Sequence, residues 1–145
     1  MFLTAQQYRK QFLGKKKVVG KGQKFGNKKV INEYGVFDSI KEADTYAQYV
    51  MLLKAGEITN LRRQVEYELI PAQWREEEMQ LKTKTTIKRK CIARKAVYTA
   101  DIVYTDRQGN DVVVDVKGGK ATQTEAYGLR KKLMLWRYGI EIKEI

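Results

Sequence analysis

Alternation of apolar and polar positions is clearest in the middle of the chain. Val97–Thr105 is dense in β-branched and aromatic residues, Asp106-Arg107-Gln108-Gly109-Asn110 is a polar loop, and Asp111–Lys117 carries four valines. That pattern predicts two strands joined by a hairpin turn. Strand side chains alternate faces, so Val112, Val114 and Val116 form an apolar face while Asp115 and Lys117 share the other. Leu61–Ile70 alternates in part through Val65, Tyr67 and Leu69, and ends at Pro71, the only proline. A strand is expected to stop there, because proline has no N–H for the ladder. Ile140–Ile145 alternates cleanly as a last strand.

Helical spacing appears twice around this core. Asp38-Ser39 opens a helix to Lys54, stopped by Gly56, with Ile40, Ala43, Ala47, Val50 and Met51 as its apolar stripe. Thr122-Gln123-Thr124-Glu125 is a capping box opening a helix to Tyr138, with Ala126, Leu129, Leu133 and Trp136 facing the core and Gly139 ending it. Thr4–Leu13 reads as a short helix and Tyr34–Phe37 as a short extended piece. Trp74–Lys90 is highly charged. There, Glu76-Glu77-Glu78 is expected to open a short helix and Lys82–Lys90 is a basic run, together a solvated excursion of the sheet. The order helix, strand, strand, strand, helix, strand predicts an α/β fold: a mixed four-stranded sheet with a helix on each face.

Composition narrows the partners. The chain has 145 residues, the size of one domain, with 29 basic and 17 acidic residues and a net charge of +12. Nucleic acid leads as a partner class, an anionic membrane comes second, and no apolar run is long enough to span a bilayer. Gly14–Lys29 holds seven lysines and four glycines. Residues 1–30 therefore read as a basic arm with a short helix, and 31–145 as the folded domain. Lys15, Lys16, Lys17, Lys21, Lys24 and Lys28 are candidate phosphate contacts, the alternative being a solubilising tail. Gly20-Lys21-Gly22 with Gly26 is rejected as a phosphate-binding loop, since the Lys-Ser/Thr ending is missing and the sequence predicts no strong strand before it.

The chain contains no histidine and one cysteine, Cys91. Ser-His-Asp and Cys-His catalysis, imidazole-bound zinc and thiolate clusters are excluded. Metal chemistry, if present, rests on carboxylates and carbonyls, which select Mg²⁺ or Mn²⁺. The hairpin can bring Asp101 alongside Asp115, with Lys117 two residues on. Two carboxylates and a lysine at a strand end suit a hard divalent ion and a water. The alternative is a surface salt bridge worth little. Glu42 lies off the apolar stripe, on a face with Tyr46, Tyr49 and Leu53. It is either part of that site or the last residue of the capping box Ser39-Ile40-Lys41-Glu42.

Taken in order, Glu42 on the first core helix, Asp101 on the second strand and Asp115-x-Lys117 on the third resemble the PD-(D/E)xK nuclease superfamily, with its restriction-endonuclease-like fold. Gly35-Val36-Phe37-Asp38-Ser39, Glu42-Ala43, Gly56-Glu57-Ile58, Leu61 with Gln64, Tyr98-Thr99-Ala100-Asp101 and Asp115-Val116-Lys117-Gly118 together look like a family of small phage-encoded nucleases in that superfamily. The resemblance covers Asn27 to Ile145. Gln123-Thr124-Glu125-Ala126-Tyr127 also resembles the Gln-x-x-x-Tyr motif of RecB-type nucleases, against an ordinary helix start. Ala100 stands where the superfamily has proline, and Asp115 where glutamate is more usual.

The resemblance implies an endonuclease that hydrolyses DNA with Mg²⁺ or Mn²⁺ in a phage-infected bacterial cytoplasm. Asp101, Asp115 and the carbonyl of Val116 would hold the ion, Glu42 would complete the site directly or through water, and Lys117 would orient or deprotonate the attacking water. Gln123, Arg130 and Lys131 join the arm lysines as candidate DNA contacts. Without a helix-turn-helix or zinc module to read bases, selection is expected to rest on DNA shape, such as branches or junctions. Symmetric junction cutting would need a homodimer. A nucleic-acid-binding protein on the same fold without activity is the competing expectation. It leaves the Glu–Asp–Asp–Lys set without a purpose.

Overall fold

The computed structural model describes residues 29–117 and 124–145, and the backbone of Lys17–Val19. Expectations for the helix at Thr4–Leu13 and for Lys15, Lys16, Lys21, Lys24, Lys28 and Gln123 fall outside those residues.

A mixed four-stranded sheet lies between two helices. Its strands are β4 (Thr59–Ile70), β7 (Ala96–Thr105), β8 (Asp111–Asp115) and β9 (Lys143–Glu144), side by side in that order. The first two pairings are antiparallel and the last is parallel. Helix α1 (Ile40–Lys54) precedes β4, and α2 (Glu125–Tyr138) makes the crossover from β8 to β9. A parallel pairing requires such a crossover.

Two cores lie on opposite faces of the sheet. Tyr49 of α1 packs with Ile58, Ile102 and Val114. On the other face Tyr127 and Met134 of α2 pack with Leu69, Tyr98, Ala100, Val103, Val113 and Ile142. Adjacent residues of β8 thus face different cores. The single apolar face expected from Val112, Val114 and Val116 is corrected: Val113, Val114 and Asp115 are all buried, because helices cover both sides.

Helix α1 begins and ends as its sequence dictates, whereas α2 ends at Gly139 as expected but is capped by Thr124 rather than by Thr122 of the expected capping box, and the stripes of both are rotated. Ser39 caps α1, its Oγ accepting from the Glu42 N–H at 3.1 Å. Thr124 caps α2 through the Tyr127 N–H at 3.2 Å, and Gly139 closes it with φ 65°. Ile40 and Met51 are exposed, and the buried face of α1 includes Glu42 and Tyr49 beside Ala43, Ala47 and Val50. On α2, Ala126 and Leu129 are exposed and Trp136 is 81% exposed, while Tyr127 and Met134 are buried. Hydrophobicity alone placed Trp136 inside. Packing chose Met134, whose flexible thioether fits under the sheet.

Two smaller sheets depart from expectation. β1 (Lys17–Val19), β2 (Lys29–Asn32) and β3 (Gly35–Phe37) form an antiparallel meander. The basic segment therefore contributes strands, and β2 crosses residue 30, where the sequence placed the edge of the arm. Arg63 staples this meander to the main sheet. Its guanidinium donates to the carbonyls of Tyr34 (2.6 Å) and Val36 (2.5 Å) and lies over the Phe37 ring at 3.9 Å. A Cβ on Gly35 would stand 2.7 Å from Arg63 Nη1, so glycine is required there both for room and for φ 118°. The helix expected at Glu76–Glu78 is strand instead. β5 (Gln73–Gln80) and β6 (Thr85–Ala93) make a two-stranded antiparallel ribbon, since cross-strand pairs of Glu77 with Lys88 and Glu76 with Arg89 favour a ladder. The last strand is shorter than its alternation suggests, limited to Lys143–Glu144. No helix among the described residues is long and apolar enough to cross a membrane.

Candidate active site

Ladder register places the acidic residues. Ile102 pairs with Val114, so Asp101 and Asp115 are opposed on β7 and β8 at the next position. Asp115 is 6% exposed and Asp101 is partly buried. One Asp101 oxygen, Oδ2, accepts from the Val116 N–H at 2.8 Å, which fixes the chain as it leaves β8. Burial pushes the Asp101 carboxyl up to about 7, and the charges of Asp115 and Glu42 add to it, against the lowering effect of that hydrogen bond. Three carboxylates therefore sense one another at the same end of the sheet.

Glu42 reaches this group from α1. It is 6% exposed, and burial is the main cause of its raised pKa. Its two oxygens accept from the Asp38 N–H at 3.2 Å and the Gln64 side-chain amide at 3.3 Å. The capping box is thus half formed. Ser39 caps the helix, but the Glu42 carboxylate reaches Asp38 rather than Ser39.

Gln64 itself is unusual. It lies in β4 between Arg63 and Val65, which pair with Ile102 and Ala100, so it falls opposite Asp101. Its φ is +48°, in the left-handed region that disfavours a residue with a Cβ. A strained backbone conformation is kept at the residue that holds Glu42.

Lys117 completes the group. Its ammonium forms an ion pair with Asp115 Oδ2 and lies 3.5 Å from the centroid of the Tyr127 ring. Aromatic faces attract ammonium groups, so the ring and the carboxylate aim this side chain together. Burial, with the charges of Asp115 and Glu144, pushes the Tyr127 hydroxyl pKa well up, and burial, with Asp115 and Asp101, does the same at Tyr98. The Lys41 ammonium donates to the Lys117 carbonyl at 2.6 Å, tying α1 to the end of β8.

Asp101, Asp115, Val116, Lys117 and Glu42 are thus gathered at one end of the sheet. Among the described residues no group of three or more His, Cys, Asp or Glu side chains is arranged to hold a metal ion. A complete cage of three carboxylates is therefore not formed. The donor chemistry of two opposed aspartates and a neighbouring carbonyl still fits a hard divalent ion, which would offset both the burial that mainly raises the Asp101 pKa and the smaller repulsion from Asp115 and Glu42. Of the DNA-contact candidates, Arg130 is exposed on α2, while Lys131 is paired to Glu144 at 2.7 Å. Lys17 lies in β1. Sequence reading assigned no role to Lys41. Gln64 and Tyr127 it reached only through the resemblance.

A family model described as "Protein of unknown function (DUF1064)" matches residues 22–144. No curated protein and no solved structure matches the chain.

Proposed function

We infer that this chain, which belongs to the DUF1064 family, is a metal-dependent endonuclease hydrolysing phosphodiester bonds in DNA. The observation that carries the reading is the meeting of Asp101, Asp115 and Glu42 with Lys117 at one sheet end, where burial and mutual repulsion raise Asp101 to about 7. A salt bridge made only for stability needs neither the third carboxylate nor the strained Gln64 that holds it. The mixed sheet between two helices is compatible with a restriction-endonuclease-like core.

Asp101, Asp115 and the Val116 carbonyl would hold Mg²⁺ or Mn²⁺, with Glu42 acting through water. A bound ion supplies charge neutralisation at the phosphate and a more acidic water. The remaining work belongs to the chain. Hydrolysis joins a water oxygen to phosphorus, breaks the P–O bond to the leaving end and returns a proton to that oxygen. Lys117, held by Asp115 and the Tyr127 ring, places a positive charge beside the attacked phosphate and orients the water. Glu42, fixed by Gln64 and the Asp38 N–H, stands ready to accept a water proton.

The substrate is read as branched or double-stranded DNA, selected by shape and cut by a homodimer in a phage-infected cell. A second reading, a DNA-binding protein without activity, is favoured by one feature: the Lys117 ammonium already neutralises Asp115. Plasmid nicking with Mg²⁺, with Mn²⁺ and with EDTA separates the two. Cleavage in the metal lanes alone, abolished by Asp115→Asn in a folded protein, is expected. Wild-type protein that binds but never nicks would leave the second reading. Faster cutting of a four-way junction than of linear duplex, with a dimeric mass by light scattering, tests the substrate and assembly.

A further inference from the structure

We propose that the β5–β6 ribbon is a docking arm for double-stranded DNA, which it holds through one basic face. The inference rests on the nuclease reading for the arm's purpose, though not for its binding.

Every residue of β5 and β6 except Glu77 is exposed. Eight residues of strand reach about 26 Å. A free two-stranded hairpin is marginal in water, so a ribbon covered on neither face is suited to a partner.

Register sorts its side chains into two unlike faces. Arg75 pairs with Lys90, Glu77 with Lys88 and Met79 with Thr86 on one face. Trp74 pairs with Cys91, Glu76 with Arg89 and Glu78 with Ile87 on the other. The diagonal contacts agree with this sorting: Lys90 lies 3.5 Å from Glu77, and Arg89 lies over the Trp74 ring at 5.2 Å. Three cations oppose one carboxylate on the first face, whereas two carboxylates oppose one cation on the second. Lys82 and Lys84 add positive charge at the tip, where the Leu81 N–H donates to the Lys84 carbonyl at 2.9 Å. A basic strip complements a polyanion, and a major groove admits a two-stranded ribbon.

Position gives the arm its use. Its root is the Ile70–Ala96 pair, where β4 and β7 leave the main sheet. β7 runs antiparallel to β8, so the ribbon leaves from the end of the sheet toward which β8 carries Asp115 and Lys117. Five residue steps along β7 lead from Ala96 to Asp101, about 17 Å of strand. A duplex lying on the basic face is brought to the end of the sheet that holds the carboxylates.

The test is fluorescence anisotropy of a labelled 30-base-pair duplex with the full chain in EDTA, which removes cleavage from the readout. The variant Arg75→Gln/Lys88→Gln/Lys90→Gln is compared with a charge-matched control, Lys54→Gln/Arg107→Gln/Lys132→Gln. All six side chains are exposed, and the ion pairs lost, Lys90 with Glu77 in the ribbon variant and Arg107 with Glu57 in the control, face solvent and are worth little, so both melting temperatures should stay close to wild type. The ribbon variant should lose tenfold or more in affinity, and its log K against log salt slope should fall by about 3, as expected for three phosphate contacts. The control should lose under threefold. Equal losses in the two variants, or unchanged affinity in the ribbon variant, would overturn the proposal. Unchanged affinity with an altered light-scattering mass would assign the ribbon to self-association instead. Ribbon-dependent binding by a protein that never cleaves would sink the nuclease reading and leave this one standing.

Discussion

The Val116 N–H donates to Asp101 Oδ2 over 2.8 Å, so the end of β8 is fastened to the one carboxyl that burial has pushed to about 7. Stability should depend on pH accordingly. In the unfolded chain Asp101 ionises near its ordinary 3.8. Between about 4 and 7 the native state keeps a proton that the unfolded state has lost, so this residue makes stability fall as pH rises through that window. Asp101→Asn removes the effect. It should melt above wild type at pH 8, and the gap should close as pH falls toward 4, read by scanning fluorimetry. Mg²⁺ or Mn²⁺ should raise the wild-type melting temperature at pH 8 and leave the variant unmoved.

Glu42 tests whether its carboxylate serves the helix or the chemistry. Ser39 Oγ, not Glu42, makes the bond that caps α1. Glu42→Gln keeps an acceptor for the Asp38 N–H and removes a buried charge. Its melting temperature should match or exceed wild type while nicking falls tenfold or more. Normal nicking would return Glu42 to a structural role.

Gln64 separates strain from function. Its left-handed φ costs on the order of 1 kcal/mol in any residue with a Cβ. Gln64→Gly and Gln64→Ala both lose the amide that holds Glu42, so both should nick more slowly, and to the same degree. The glycine variant should be the more stable of the two by about 1 kcal/mol in urea titration. Equal stability would mean that the backbone rearranges around the alanine.

Tyr127 positions Lys117 through its ring rather than its hydroxyl. Tyr127→Phe keeps the face 3.5 Å from the ammonium, and Tyr127→Leu removes it. The phenylalanine variant should nick near the wild-type rate. The leucine variant should nick about tenfold more slowly, with its pH–rate profile displaced. Matching profiles for the leucine variant and wild type would free the lysine from this ring.

Much of this arrangement is legible in the sequence, for identifiable reasons. Pro71, Gly56, Gly139 and the Ser39 cap act locally, so those element ends are read directly, while two threonines two residues apart leave the start of α2 ambiguous and the chain uses Thr124 instead of Thr122. The pairing of Asp101 with Asp115 follows from a short hairpin, whose register its loop constrains. What escapes is set by distant packing. Trp136 is as hydrophobic as any core residue, yet α2 turns Met134 inward. The three glutamates of β5 suit a helix until Lys88 and Arg89 stand across from them. Nothing in the sequence around Gln64 announces a left-handed residue within a strand.

β8 has a further consequence. Val113 belongs to the α2 core and its neighbour Val114 to the α1 core, both fully buried. Each truncation to alanine removes the same two methyl groups from the same strand, so differences in strand propensity cancel between them. Their folding and unfolding rates then clock the two hemispheres separately. A transition state that has assembled one hemisphere first would slow refolding for one valine and speed unfolding for the other, one peptide bond away.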